Sequence, residues 1–502
     1  MMLAPGELET PIAAGGLWSP ARRGLTVGLV LTITLVAFEA LAISTIMPLV
    51  ARDLGGLTLY GWVFSAFFLG SLLGIAIVGG VIDRVGLALP LGVGLVLFGV
   101  GLIGGGVAPS MEVLVGARFV QGLGGGAVPP IAYVAIGRSL PERLRPGMFA
   151  TLSTAWVLPG IAGPAIAGAV AELSNWRFVF LGLLPLIALS GVMALRALPR
   201  TTPAKGGSTE AAGAPKAIGR RRMRDAFLVV VGAGLITAGL TEGSPGLLVG
   251  LTAVGLALLL PAFRRLTPPG TLRLARGVPS AVLLRGLLTF AFFSIDAYVS
   301  LALVDVRGLS ATEAGIALTA ATVSWTVGSW TQARLARRLG PERLATAGFA
   351  VVAVGIVLTA LVLNPAVPSW FAMPAFAVAG FGMGLSYSQF AVIVLRDAPR
   401  EGQGVTTAGL SLSDALGTAL GTGIAGAIIA AAPRAGLPLA SGLAVAFGVG
   451  AALATLGFLL APRLRAAGSV SVWAQPTDRC TLRSEGRAWD PPDGRCGYHA
   501  PA

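Results

Sequence analysis

The stretch Trp156-Val157-Leu158-Pro159-Gly160-Ile161-Ala162-Gly163-Pro164-Ala165-Ile166-Ala167-Gly168 lies inside an apolar run long enough to cross a bilayer. Glycines at 160, 163 and 168 let a neighbouring backbone come close, while Pro159 and Pro164 each remove an intrahelical hydrogen bond. Packing alone accounts for the glycines. Two prolines in one span predict a helix built to bend.

The rest of the chain agrees with a membrane setting. Of its 502 residues, 55% are hydrophobic, 12% are charged and 71 are glycine, with a mean hydropathy of +0.83. That composition excludes a soluble enzyme and fits an all-α polytopic membrane protein. The net charge of +14 does not point to nucleic acid, because the basic residues sit between apolar runs and form no face of a soluble module. The two cysteines, Cys480 and Cys496, fall in a polar tail with His499; three loosely spaced residues make no metal set, and none is expected.

Apolar runs of about 20 residues, the length a bilayer core requires, occur near 25–50, 60–82, 89–108, 111–137, 147–171, 177–197, 225–243 and 246–263. Six more lie near 279–304, 311–333, 344–363, 369–395, 403–432 and 440–461, giving fourteen expected spans. Basic residues crowd alternate connections, whereas the others hold only Arg52, Arg177, Arg307 and Arg434. By the positive-inside rule both termini are expected in the cytoplasm. The expected organisation is a cytoplasmic tail (1–24), a six-helix bundle (25–198), a basic linker (199–224) carrying Arg220-Arg221-Arg222, two inserted helices (225–264), a second six-helix bundle (279–462) and a disordered cytoplasmic tail (463–502).

The chain also repeats itself. Gly163-Pro164-Ala165-Ile166-Ala167-Gly168 returns as Gly421-Thr422-Gly423-Ile424-Ala425-Gly426, and Gly122-Leu123-Gly124-Gly125-Gly126 as Gly380-Phe381-Gly382-Met383-Gly384, both at an offset of 258. Glu39 pairs with Asp296 at 257, and Gly86 with Gly340 at 254. Spans 1 to 6 therefore match spans 9 to 14, and a transport site is expected between the halves near the bilayer midplane.

Three stretches carry a family resemblance. The run Gly79-Gly80-Val81-Ile82-Asp83-Arg84-Val85-Gly86 resembles the signature that joins the second and third helices of the major facilitator superfamily. The fourth span, with Arg118 followed by Gln121-Gly122, is similar to that family's intramembrane Arg motif. The opening stretch is similar to the antiporter signature of the fifth span, found in its exporters. Together they resemble the fourteen-span drug:proton antiporter branch over about residues 20 to 462. The resemblance implies two pseudosymmetric six-helix bundles plus two inserted helices, a gate at Gly79, Asp83, Arg84 and Gly86, and an antiporter motif at Pro159, Gly160, Gly163, Pro164 and Gly168. The chain departs from the pattern at Leu87 and Ala88, where the family continues with basic residues, and at Glu39, where many members carry Asp.

Ionisable groups at bilayer depth are costly enough to be candidates for function. Here they are Glu39, Arg118, Asp296 and Asp414, assigned to proton coupling. Each has a second reading. Glu39 either exchanges a proton or makes a hydrogen bond between helices; Asp296 either holds the proton or meets a cationic substrate; Asp414 either faces the cavity or caps a helix contact. Arg118 stays charged and is either tied to proton transfer or purely structural. Gln121, Trp156, Tyr298, Tyr387 and Gln389 are candidates for lining an apolar cavity with a few polar groups.

These readings converge on a proton-coupled exporter of hydrophobic, often cationic, compounds. It would be driven by the proton gradient with no cofactor, would act as a monomer in a bacterial cytoplasmic membrane, and would bind no nucleic acid. No Gly-x4-Gly-Lys-Ser/Thr sequence for ATP is present. Lys205 and Lys216 are the only lysines among 36 basic residues, a bias that fits a G+C-rich bacterial genome. The alternatives are a dedicated exporter of an endogenous lipid, siderophore or antibiotic, a nutrient importer, or a non-transporting scaffold.

Overall fold

The apolar runs fold as α-helices, because backbone groups in hydrocarbon must be satisfied within their own segment. The computed structural model describes residues 16–20, 22–198, 216–398 and 403–465, and no strand occurs among them. They belong to one compact unit, Met1–Ala466; a second, Ala467–Ala502, lies outside the described residues. Also outside them are most of the two terminal tails, residues 199–215 of the expected linker, and Cys480, Cys496 and His499.

The helices are α1 (Arg23–Leu54), α2 (Tyr60–Val85), α3 (Ala88–Gly106), α4 (Met111–Ser139), α5 (Arg145–Thr154), α6 (Val157–Leu173), α7 (Arg177–Leu181) and α8 (Leu184–Ala197) in the first half. The inserted pair is α9 (Lys216–Thr241) and α10 (Pro245–Leu266). The second half holds α11 (Val278–Leu301), α12 (Ala311–Leu339), α13 (Pro341–Leu361), α14 (Ala372–Asp397), α15 (Gln403–Arg434) and α16 (Leu439–Leu460). The segment α9 starts at Lys216, so residues 216–224, expected as linker, are helix.

Among the described residues, twelve helical segments are long and apolar enough to cross a membrane. The two exceptions among the fourteen expected spans have separate causes. The span expected at 147–171 is broken into α5 and α6 by a turn at Ala155-Trp156. Pro159 sits in the first turn of α6, where its missing N–H costs nothing, so the break falls upstream of the proline. The other exception, α12, is lined with hydroxyls. Those of Thr322, Thr326 and Thr331 donate to the carbonyls one turn back, at 3.1, 3.1 and 2.8 Å, which satisfies them without a partner helix.

Several packing pairs recur in both halves. In the first half α2 lies on α4, α3 on α4, and α1 on α6 and α8; in the second, α12 lies on α14, α13 on α14, and α11 on α15 and α16. The glycine repeat shows why. A Cβ on Gly122 would lie 2.0 Å from the Phe67 carbonyl oxygen, and one on Gly380 would lie 2.2 Å from that of Ala321. At Gly126 and Gly384 the same atom would lie 2.1 Å from the carbonyl oxygens of Ser71 and Trp325. Only a missing side chain lets these backbones approach so closely.

The halves meet where α2 packs on α15 and α6 on α12. This seam has its own glycine pairs: a Cβ on Gly61 or Gly315 would lie 2.9 Å from the carbonyl oxygen of Thr422 or Pro164. Gly168 faces the Thr312 backbone and Gly426 the Gly61 backbone at 2.9 and 2.7 Å by the same measure. The inserted α9 covers one seam. Its Val229 and Ala233 share an apolar cluster with Leu69 and Leu72 of α2 and with Leu416 and Ala419 of α15.

Candidate functional site

In the first half, the i, i+3 spacing of Arg118 and Gln121 puts both on one face of α4, opposite Glu39 of α1. The Arg118 guanidinium donates through Nη1 to Glu39 Oε1, through Nη1 to Gln121 Oε1 at 2.6 Å, and through Nε to the Val63 carbonyl at 3.2 Å. It also lies 4.4 Å from the centre of the Phe67 ring. The Arg118 and Glu39 side chains are only 2% and 1% exposed. Removing two charges from water costs several kcal/mol per ion before their attraction repays it. Their arrangement is also incomplete, since Glu39 Oε2 and Gln121 Nε2 are buried without a hydrogen-bond partner. One carboxylate oxygen is held by Arg118, and the other has no partner among the described residues.

The second half holds a different charge cluster. Arg285 of α11 donates from Nε to Asp414 Oδ1 at 2.9 Å and from Nη2 to Oδ2 at 3.3 Å, and it also reaches the Tyr387 carbonyl. Its guanidinium stacks on the Tyr387 ring, whose hydroxyl donates to Asp414 Oδ2 at 3.0 Å. Every side-chain oxygen of Asp414 is thus engaged. The sequence reading named Asp414 and Tyr387 but gave Arg285 no role; the intramembrane arginine with no other assignment was the available signal.

Asp296 stands apart from both. It is half-buried on α11, and no described residue bonds to it or pairs with it. The repeat explains the difference from Glu39: at the offset of 258 the counterparts of Arg118 and Gln121 are Phe376 and Ala379. The C-half acid has no arginine opposite it.

The remaining candidates fall in several places. Tyr298 is fully buried in the seam, stacked 5.3 Å from Tyr60 and donating to the Thr422 carbonyl at 2.5 Å. Gln389 is 2% exposed and bonded to Gln332, a partner the sequence reading did not name. Trp156 is 48% exposed at the α5–α6 turn. Of the antiporter stretch, Gly160 faces Thr322 of α12 and Gly168 faces Thr312, so it lies on the seam; Gly163 faces Phe38 of α1, and Pro164 is buried within α6. Asp83 and Arg84 belong to the last turn of α2 instead of the loop expected for them, and their side chains lie outside the described residues. Gly86 ends that helix at φ +79°, as Gly340 ends α12 at +75°, a backbone region that favours glycine. Gly79 has open space around it.

Among the described side chains, bonds between the halves gather at the Arg52 end. Arg52 pairs with Asp305, the Glu172 carboxylate accepts from the Thr312 amide and hydroxyl at 3.1 and 2.7 Å, and Arg434 donates to Thr58 at 3.0 Å. Deeper in, Ser65 donates to the Ala419 carbonyl at 2.6 Å. The last turn of α9 joins in: Trp62 Nε1 donates to the Thr241 hydroxyl at 3.1 Å, and Arg434 to the Thr241 carbonyl at 2.6 Å.

Residues 29–422 match the family model described as Major Facilitator Superfamily. A Mycobacterium tuberculosis protein named as a probable multidrug-efflux transporter is 28% identical over 409 residues, covering 78% of this chain and 84% of its own. The Bacillus subtilis multidrug transporter protein MdtP is 24% identical over 421 residues, covering 81% and 75%. Among solved structures, a bacterial homologue of the human lysosomal transporter Spinster, inward-facing and unoccupied, superposes with a TM-score of 0.61 at 15% identity, covering 89% of this chain and 98% of its own. The E. coli xylose transporter XylE, partially occluded and inward open, gives 0.59 at 14%, covering 87% and 96%. With two six-helix halves, a buried ion pair inside the first and a family match over most of its length, this multi-pass chain belongs to the major facilitator superfamily, whose members carry solutes across membranes.

Proposed function

We propose that the chain is a proton-coupled exporter of hydrophobic, often cationic, compounds. The observation that carries this reading is the Glu39–Arg118–Gln121 cluster, a buried carboxylate with one oxygen paired and the other unpartnered. A proton arriving on Oε2 neutralises Glu39 and weakens its hold on Arg118. The freed guanidinium keeps the Gln121 and Val63 oxygens as acceptors, so the pair has two arrangements that differ by one proton. Coupling requires that these arrangements favour opposite openings of the seam. The relatives named as multidrug transporters support drug-like substrates, and the antiporter stretch on the seam supports export over import.

In this reading both termini and the Arg84 end of α2 face the cytoplasm of a bacterium, and the Arg52 end faces outward. The arrangement with its bonds gathered at the Arg52 end is then closed to the outside. The protein works as a monomer, draws on the proton gradient and needs no cofactor. The test is accumulation of a fluorescent lipophilic cation in pump-deficient bacteria carrying wild type or Glu39→Gln, with and without a protonophore. Lower accumulation in the wild type alone, abolished by the protonophore, is expected. Equal accumulation in all cells would refute drug export and favour a dedicated endogenous lipid, siderophore or antibiotic.

A further inference from the structure

We propose that the adjoining ends of α9 and α10 form a docking site for the headgroup of an anionic phospholipid, in the leaflet at the Arg265 end of the inserted pair. In the orientation given above, that is the cytoplasmic leaflet. Such a site goes beyond the exporter reading and is independent of what the chain carries.

Asp225 anchors the cluster. Its side chain is 6% exposed in the third turn of α9, and its Oδ1 accepts from Arg224 Nη2 at 3.3 Å and from Arg265 Nη1 of α10 at 3.2 Å. Those two arginines are 61% and 56% exposed, so each keeps donors in reach of a ligand. Arg220, Arg221 and Arg222 of α9 and Arg264 of α10 are exposed as well. Among the described residues, Asp225 is the one acid that pairs with any of these six arginines. The positive-inside rule puts arginines at this end of a span, but it does not put them in the opening turns of a helix. The helix dipole favours cations at a C-terminus, where Arg264 and Arg265 close α10, and opposes them at an N-terminus, where Arg220, Arg221, Arg222 and Arg224 stand in α9. Arg220 and Arg224, at i, i+4 spacing, also repel each other. Elsewhere an exposed arginine meets its own acids, as Arg396 of α14 does with Glu342 and Asp397. A surplus held against the dipole and against self-repulsion is stabilised by an anion from outside the chain.

The helix faces beside the arginines show what the anion is attached to. At i, i+4 spacing Leu256, Leu260 and Arg264 share one face of α10, and both leucines are 42% exposed. Arg220, Arg224 and Phe227 share a face of α9, and Phe227 is 53% exposed. Each face thus runs from open apolar side chains within the span to arginine at its end. A free phosphate would use the arginines alone. A phospholipid uses both parts: its phosphate oxygens accept from the guanidinium forks, and its acyl chain lies along the leucines. Because α9 packs against Leu69 and Leu72 of α2 and Leu416 and Ala419 of α15, the lipid sits on the helix that covers the seam.

The experiment is native mass spectrometry of the full chain titrated with dioleoyl phosphatidylglycerol or dioleoyl phosphatidylcholine. The wild type is expected to retain phosphatidylglycerol at about tenfold lower lipid concentration than phosphatidylcholine. Combining Arg220→Gln, Arg221→Gln, Arg222→Gln and Arg264→Gln should cut that preference to about twofold or less. Arg224 and Arg265 are left in place so that Asp225 keeps its partners, and unchanged phosphatidylcholine binding shows that the variant folds. A control combines Arg196→Gln, Arg334→Gln, Arg338→Gln and Arg343→Gln, four exposed arginines at other helix ends expected on the same side of the membrane, and should keep the wild-type preference. A wild type that does not prefer phosphatidylglycerol, or an equal loss in both combined variants, overturns the site. Displacement of phosphatidylglycerol by excess glycerol 3-phosphate, which has the phosphate and no acyl chain, overturns the choice of a lipid. Neither result bears on the exporter reading, which stands or falls on dye accumulation.

Discussion

Replacing Arg118 by Met tests whether the buried pair behaves as the geometry requires. The two members are not equally dependent on each other. Glu39 has Arg118 as its hydrogen-bond donor, whereas Arg118 has Glu39, Gln121, Val63 and the Phe67 ring. In Arg118→Met the carboxylate is stranded at 1% exposure, and breaking a buried pair in this way costs about 3–5 kcal/mol. In Glu39→Gln the guanidinium keeps its other acceptors and loses one charge-assisted bond, a cost of about 1.5–3 kcal/mol. The double variant strands no unpaired carboxylate, because substituting both members of a buried pair by neutral groups is often close to neutral. It should therefore be more stable than Arg118→Met, with a coupling energy of about 2 kcal/mol or more. The assay is a double-mutant cycle by reversible SDS unfolding in mixed micelles, followed by tryptophan fluorescence. Additive losses, or a Glu39→Gln variant less stable than Arg118→Met, would refute the one-sided dependence.

Two further outcomes follow from the packing. Gly122→Ala and Gly380→Ala should each destabilise by about 1–3 kcal/mol from overpacking in the same unfolding assay, whereas Gly116→Ala, with open space around it, should be neutral or gain up to about 1 kcal/mol of helix propensity. In a background with Cys480 and Cys496 replaced by serine, Trp62→Phe with Arg434→Met removes the two bonds that tie α9 to α2 and α15 through Thr241, together with the Arg434–Thr58 bond between the halves. A cysteine introduced at Thr422, 1% exposed in the closed seam, should then react faster with an impermeant maleimide; an unchanged rate would show that α9 does not strap the halves.

What the sequence made legible follows from what bilayers and close packing forbid. Hydrocarbon admits no unsatisfied backbone, so the apolar runs mark the helices to within a few residues. Close backbone approach admits no side chain, so Gly122 and Gly380 betray one shared contact 258 residues apart. Hydropathy has no corresponding mark for a break. Pro159 and Pro164 suggested bending at the prolines, yet the turn falls at Ala155-Trp156, because a proline in the first turn of a helix is unstrained and sets the start of a helix more readily than it kinks the middle of one. Partners were less legible still. Periodicity gives the face on which Asp414 sits, but not that Arg285, 129 residues away, would lie opposite.

The offset that revealed the repeat also held information about charge that residue-by-residue reading missed. Carried along each helix at its own offset, 258 in α4 and 257 in α1, it places Phe376 where Arg118 stands and Gly28 where Arg285 stands, so the halves share a backbone and differ in their ion pairs. A symmetric scaffold can rock between two openings with little change in packing, since each seam has a counterpart built from the same glycines. Identical charge sites in both halves would respond identically to any ion that reached them. Glu39 is held by Arg118, whereas Asp296 has no such partner among the described residues. That difference in charge lies where the repeat fails.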